Sequence, residues 1–324
     1  MGEFDLIARI AASAGTRADV ELGIGDDAAI LRFAPDERVV VAVDTLVAGV
    51  HFPQDTAAEA IGHKALAVNL SDLAAMGAEP RFALWALSMP GPDRAYAEGL
   101  LAGLCDLARL HDVALVGGDT TRGPLSLSIT VLGAVPPGLA LTRHGAREGD
   151  LIYISGHPGE AAAALALRDT PATQPESGHA LAAEKLRRRL DRPTPRVALG
   201  LALRGIASAC IDVSDGLLAD LGHIAARSGL AALIDPELLP LSLALRTAIP
   251  APARQRELVL SGGDDYELCF SAAPERAAAI TELAARLNLP LTRIGQMGPG
   301  SGVWVYAEDG SLRAPQRRGY EHFA

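Results

Sequence analysis

The sequence runs to 324 residues, a length that suggests about two domains rather than one core. With 49% hydrophobic and 21% charged residues it has a globular composition, which excludes a disordered chain. The formal net charge of −10 argues against a nucleic-acid surface, and no apolar run approaches the ~20 residues that span a bilayer.

In chain order, Gly2–Ala14 carries Phe4, Ile7 and Ile10 at helical spacing and predicts a short amphipathic helix. The acids in MGEFDLIARI do not fit a secretion signal, so a cytoplasmic protein is expected. Val20–Ala29, VELGIGDDAA, sets Asp26 and Asp27 after a Gly-x-Gly turn that leaves both acids unobstructed. Adjacent side chains of an extended segment diverge, so Asp27 is expected to be a metal ligand and Asp26 its hydrogen-bonded support. By itself such a turn is ordinary; here the pattern recurs.

Val39–Val43 predicts a buried strand with Asp44 at its C-terminal end, and the following loop delivers His51. Ala57–Ala75 predicts a helix apolar nearly all round in its last turns, with Asn69 and Asp72 on one face. A buried Asp needs a partner, either a cation or ordinary helix-terminal hydrogen bonds. Arg81–Ser88 predicts a strand, Asp93–His111 a helix, Ala114–Val116 a short strand running into Gly117-Gly118-Asp119, and Leu125–Ala134 another strand. Pro136-Pro137-Gly138 then breaks the chain, giving expected domains 1–137 and 138–324.

Arg143 follows the break as a candidate phosphate clamp. Asp150–Ser155 predicts a strand, followed by a Gly-rich turn and an Ala-rich helix, then a polar surface loop over Asp169–His179. Val197–Ser208 predicts a helix and Ala209–Val213 a strand entering Asp212-Val213-Ser214-Asp215-Gly216. Asp212 and Ser214 share a side there, and the turn can bring in Asp215. A helix over Gly216–Ser228 and a strand over Ala231–Ile234 follow. Ser261–Glu267 is a further Gly-Gly-Asp turn, leading into a strand at Leu268–Phe270. A helix over Pro274–Leu287 and strands at Leu291–Ile294 and Val303–Tyr306 complete an alternation that predicts two α/β lobes.

Cys105, Cys210 and Cys269 are distant, odd in number and set in apolar contexts, as buried reduced thiols are. No CxxC and no H-x3-H occurs, which disfavours structural zinc. Only two lysines are present, Lys64 and Lys185, and neither follows a G-x-x-x-x-G nor sits in a V-A-I-K strand before an H-R-D loop. That excludes a P-loop and a protein-kinase site; ATP, if bound, would be held by metals and backbone amides. Six acids at expected strand ends and Gly turns, Asp27, Asp44, Asp72, Asp119, Asp212 and Asp215, would repel one another unless hard cations stood among them, and Mg²⁺ suits such oxygen donors.

With VELGIGDDAA, DTLVAGVHF, KALAVNLSDLAAMGAEP, LVGGDTTRGPLS, ALTRHGAREGD, IDVSDGLLADLGHI, LSGGDDYELCF, IGQM and the closing GYEHF, the sequence resembles the thiamine-monophosphate kinases of the aminoimidazole ribonucleotide synthetase-like superfamily. The motifs run nearly end to end and in order. The resemblance implies an α/β (α+β) two-lobed fold, an N-terminal lobe whose sheet pairs in a homodimer, and ATP held with Mg²⁺ in the cleft between lobes. It implies phosphorylation of thiamine monophosphate to thiamine diphosphate. By the same resemblance the six acids match metal ligands, Gly118, Asp119, Arg143 and Ser214 match nucleotide contacts, and His51, Asp264 and Tyr320 match thiamine monophosphate contacts. Two departures stand out: Ala42 and Val43 lack the hydroxyls that often precede Asp44, and Asp264 replaces a frequent Glu. Another ATP-using enzyme of the superfamily and a catalytically idle nucleotide-binding regulator remain the alternatives. A selenophosphate synthetase would carry a reactive Cys near the N-terminus, and the first Cys here is Cys105.

Overall fold

The computed structural model describes residues 3–91, 93–168, 178–315 and 319–320. It divides into two compact units. The first holds the chain through Leu73 together with Ala78–Ala140, the second Ala74–Gly77 and the chain from Leu141 onward.

The first unit opens with helix α1 (Glu3–Ser13) and a two-stranded ribbon, β1 (Val20–Leu22) and β2 (Ile30–Leu31). Strand β3 (Arg38–Val47), helix α2 (Ala58–Ala75), strand β4 (Glu79–Met89), helix α3 (Arg94–Leu110), strand β5 (Ala114–Arg122) and strand β6 (Ser126–Val135) follow. The strands form one sheet in the order β3-β6-β4-β5, with β3 and β6 antiparallel from Arg38↔Val135 to Val47↔Ser126 and β4 parallel to β5 across α3.

One sheet face is dry. Leu127, Ile129 and Val131 are fully buried, and Leu73 of α2 reaches Gly133 in the same row. The two helices touch backbone to backbone: a side chain on Gly62 would strike the Leu100 carbonyl, and one on Gly103 the Glu59 carbonyl. On the opposite face a cluster of Phe82, Ala114 and Val116 is covered by Val20, Ala29, Leu31 and Phe33. Farther along that face the alternation of β3 leaves Val39, Val41 and Val43 47%, 60% and 61% exposed.

The second unit contains strand β7 (Leu151–Ser155), helices α4 (Glu160–Leu167), α5 (Gly178–Asp191) and α6 (Val197–Ala202), strand β8 (Ala209–Val213), helix α7 (Leu217–Ser228) and strand β9 (Ala231–Ile234). Helices α8 (Leu243–Ala248) and α9 (Pro252–Ser261), strand β10 (Glu267–Ala272), helix α10 (Ala277–Leu287) and strands β11 (Leu291–Gly298), β12 (Gly302–Tyr306) and β13 (Leu312–Arg313) complete it. Seven strands form one mixed sheet in the order β13-β12-β9-β11-β7-β10-β8. Every residue of β7, β8 and β10 is buried, which is why LIYIS, ACIDV and ELCFSA read as continuous rather than alternating apolar runs. The three cysteines are buried free thiols.

Several elements differ from expectation. Strands β3 and β5 continue three residues past Asp44 and Asp119, so neither acid stands at a strand end. The β-branched residues beyond them sustain the pleat, and the Thr45 and Ser128 hydroxyls pair across strands at 2.7 Å. Helix α6 ends at Ala202, short of Ser208, while α8 and α9 are unforeseen. Most of the expected 169–179 loop lies outside the described residues; its end, Gly178, already begins the unforeseen α5.

Candidate active site

In the first unit Gly25, at φ 129°, turns the chain into Asp26 and Asp27, both exposed. The Asp27 N–H donates to Asp26 Oδ1 at 2.9 Å, so Asp26 braces the turn that presents its neighbour. Asp44 is half-buried on β3, and its N–H donates to Asn69 Oδ1 at 2.9 Å. Asn69 is fully buried, and its amide donates in turn to the Ala65 carbonyl at 2.9 Å. One side chain thus ties β3 to α2, and Asp72, half-buried, follows it on the same helix face.

Asp119 is exposed on β5 after an irregularity in which Ala83 pairs with Leu115 but Leu84 with Gly117. Gly118 takes φ 153°, and a side chain there would collide with the Trp85 carbonyl. Asp44, Ile129, Trp85 and Gly118 occupy one row across the sheet, so Asp44 and Asp119 ride on opposite edge strands that run in the same direction. His51 belongs to a tight turn between β3 and α2.

In the second unit the loop from β8 to α7 is held through both sides of its backbone. The carbonyls of Val213, Ser214 and Asp215 accept the N–H groups of Tyr266 (2.8 Å), Asp264 (2.8 Å) and Tyr320 (3.0 Å). The N–H groups of Ser214, Asp215 and Gly216 all donate to Asp220 Oδ2, at 3.0, 3.1 and 3.1 Å. Five expected site residues, Asp212, Ser214, Asp215, Asp264 and Tyr320, are thereby gathered around one loop. Arg143 is exposed, beside Thr142, whose carbonyl receives the Cys210 N–H near the start of β8.

The turn over 261–266 is strained and anchored. Asp264 and Tyr266 adopt φ 71° and 53°, and the Tyr266 hydroxyl donates to Asp264 Oδ1 at 3.0 Å. Next to it, Asp265 accepts the Gly159 N–H at 2.8 Å, and burial raises its carboxyl well above the usual range. Glu267, with no exposed surface, accepts from the Ser155 hydroxyl at 2.5 Å, Arg189 at 2.8 Å and Arg196 Nε at 2.6 Å.

Burial first, and then the charges of Asp212 and Asp215, push Asp220 up to about 7. Negative charge is thus concentrated at this loop of the second unit; Asp215 there, and Asp27 and Asp119 in the first unit, form no ion pair among the described residues. Exposed or half-exposed hard oxygen donors without a cation suit Mg²⁺. Among the described residues no three His, Cys, Asp or Glu side chains approach closely enough to enclose an ion.

Residues 25–135 match the model for the N-terminal domain of AIR synthase related proteins, and residues 147–307 its C-terminal domain. The thiamine-monophosphate kinase of Escherichia coli K12 is 45% identical over all of this chain and 98% of its own length. The chain belongs to the thiamine-monophosphate kinase family. Within that family, the crystal structure from Stenotrophomonas maltophilia K279a superposes with a TM-score of 0.88 at 52% identity, covering 97% of this chain and 98% of that one. AaThiL, solved in complex with AMPPCP and TMP, has a TM-score of 0.78 at 33% identity over 99% of this chain and 97% of its own.

Asp220 is the residue that sequence reasoning missed. It acts on backbone N–H groups, and its signal in the sequence is an acid in the first helical turn after an acid-rich loop.

Proposed function

We propose that this kinase transfers the γ-phosphoryl group of ATP to the phosphate of thiamine monophosphate, giving thiamine diphosphate and ADP. The full-length relationship to thiamine-monophosphate kinases carries this reading. Asp27, Asp44, Asp72, Asp119, Asp212 and Asp215 are assigned to Mg²⁺, Gly118, Asp119, Arg143 and Ser214 to the nucleotide, and His51, Asp264 and Tyr320 to thiamine monophosphate. Residues 1–137 form the domain for ATP, Mg²⁺ and dimerisation, and 138–324 the domain that completes the site.

The nucleophile is a phosphate oxygen, already ionised near neutral pH, so no side chain need act as general base. The barrier is the approach of two polyanions and their alignment. Bound Mg²⁺ supplies charge neutralisation for both phosphates and for the transferred group. The chain's own residues supply position: Asn69 fixes the backbone at Asp44, and Asp220 fixes the loop bearing Ser214 and Asp215, just after Asp212. Transfer is direct and in line, without a phosphoenzyme.

The exposed Val39, Val41 and Val43 support a homodimer built through this sheet, since an edge strand with an apolar outer face is a natural pairing surface. No described helix is long and apolar enough to cross a membrane. We place the enzyme in the cytoplasm, where ATP is abundant and buried free thiols persist.

Phosphorus NMR of the protein with ATP, MgCl₂ and thiamine monophosphate, repeated with EDTA and with other phosphomonoesters, tests the reading. Resonances of thiamine diphosphate that require both Mg²⁺ and this acceptor are expected. ATP hydrolysis without that product would reject the acceptor.

A further inference from the structure

Lys64, one of two lysines in the chain, is 1% exposed. A lysine so deeply buried is costly unless its ammonium is held by good acceptors. Its Nζ donates to the His51 carbonyl at 3.1 Å, from the first half of α2 to the turn after β3.

That turn fixes His51 at three atoms. Its N–H donates to the Val47 carbonyl at 3.0 Å, its carbonyl receives Lys64, and its Nδ1 accepts the Val47 N–H at 3.0 Å. The Gly49 N–H closes the turn on the Phe52 carbonyl at 2.9 Å, and Phe52, 3% exposed, anchors it in the core. An imidazole nitrogen that accepts a backbone N–H carries no proton, so the proton of the neutral ring resides on Nε2.

We propose that Lys64 is a positioning residue that holds the Val47–Phe52 turn so that His51 stands as the neutral Nε2–H tautomer, a directional hydrogen-bond donor to the heterocyclic part of the acceptor. This rests on the assignment of His51 to thiamine monophosphate. A neutral donor suits that ligand, whose thiazolium is cationic and whose pyrimidine offers ring nitrogens as acceptors. An imidazolium would repel the first and gain nothing specific at the second.

Two measurements test it. Long-range ¹H–¹⁵N correlation of the ¹⁵N-labelled full chain, with the His51 signals assigned by their loss in H51Q, reads the tautomer without any turnover. A bare Nδ1 and a protonated Nε2 are expected; a protonated Nδ1, or averaging between tautomers, overturns the proposal. In K64M the His51 signals are expected to average and KM for thiamine monophosphate to rise about tenfold, with kcat and KM for ATP within about twofold and partial recovery in K64R. A folded K64M with unchanged KM for the acceptor and unchanged His51 signals would also overturn it. If K64M does not fold, the tautomer of the parent protein decides. Absence of any activity toward thiamine monophosphate in the parent would reject the functional reading, while the tautomer would still be read.

Discussion

Gly118→Ala isolates what the backbone at the start of the Asp119 segment demands. At φ 153° an alanine is strained by about 1–3 kcal/mol. Its Cβ would also meet the Trp85 carbonyl, a backbone atom in the middle of β4 that cannot rotate away, for a further ~1–3 kcal/mol of overpacking. The sum, on the order of 2–6 kcal/mol, is a large share of the roughly 5–15 kcal/mol that holds a domain folded. Gly117→Ala is the control, because a Cβ there would lie 3.6 Å from Leu84 Cδ2, an ordinary contact, and should cost under about 1 kcal/mol. Urea unfolding followed by circular dichroism gives both values, and phosphorus NMR gives turnover. Where G118A remains folded, displacement of Asp119 should lower kcat by about a hundredfold, with G117A near the parent. Equal stabilities for the two variants would refute the claim that the β5 backbone is set by glycine at 118.

Asp119→Asn and Asp27→Asn should each lower turnover by orders of magnitude while moving the melting temperature by no more than a degree or two, because both side chains are exposed; near-parent turnover would remove them from the site. Asp220 has its carboxyl raised from 3.8 to about 7 by burial and by Asp212 and Asp215, so the folded state binds more protons between those values. Its contribution is full below about pH 4 and is lost as pH rises through 7, on the order of 4 kcal/mol in all. Asp220→Asn should flatten that fall in a series of melting curves without divalent cations, and an unaltered slope would assign the pH dependence elsewhere. Val41→Glu with Val43→Lys should convert the proposed dimer to a monomer in sedimentation velocity at micromolar concentration; a parent chain that already sediments as a monomer would sink the dimer proposal itself.

The acid-bearing segments stand out in the sequence because glycines and carboxylates together mark turns that any chain must build from those residue types. Their setting was less legible. Asp44 and Asp119 looked like strand-end residues because the apolar runs VVVAV and ALV stop there, yet edge strands with a wet face continue through Thr45 and Thr120-Thr121 on backbone pairing and β-branched residues, with no apolar run to mark them. Helix α5 hid behind GHALAAEKLRRRLD, whose buried stripe is only Ala182, Leu186 and Leu190 at a spacing of four. The partners of Asp220, Lys64 and Glu267 could not be read from the sequence, for a shared reason. Each works through a hydrogen bond to a distant or backbone partner, and such pairings have no period in the sequence.

The reciprocal seating of Gly62 on the Leu100 carbonyl and Gly103 on the Glu59 carbonyl bears on how this enzyme can evolve. At these two crossings no side chain separates α2 from α3, so the helix pair has little thickness to gain or lose there, and repacking steps that shift α2, which carries Asn69 and Asp72, are costly. If His51 and Asp264 hold the acceptor as proposed, drift toward a new phosphate acceptor would run through the Val47–Phe52 and 261–266 turns, leaving the helix pair as the inherited part of the machine.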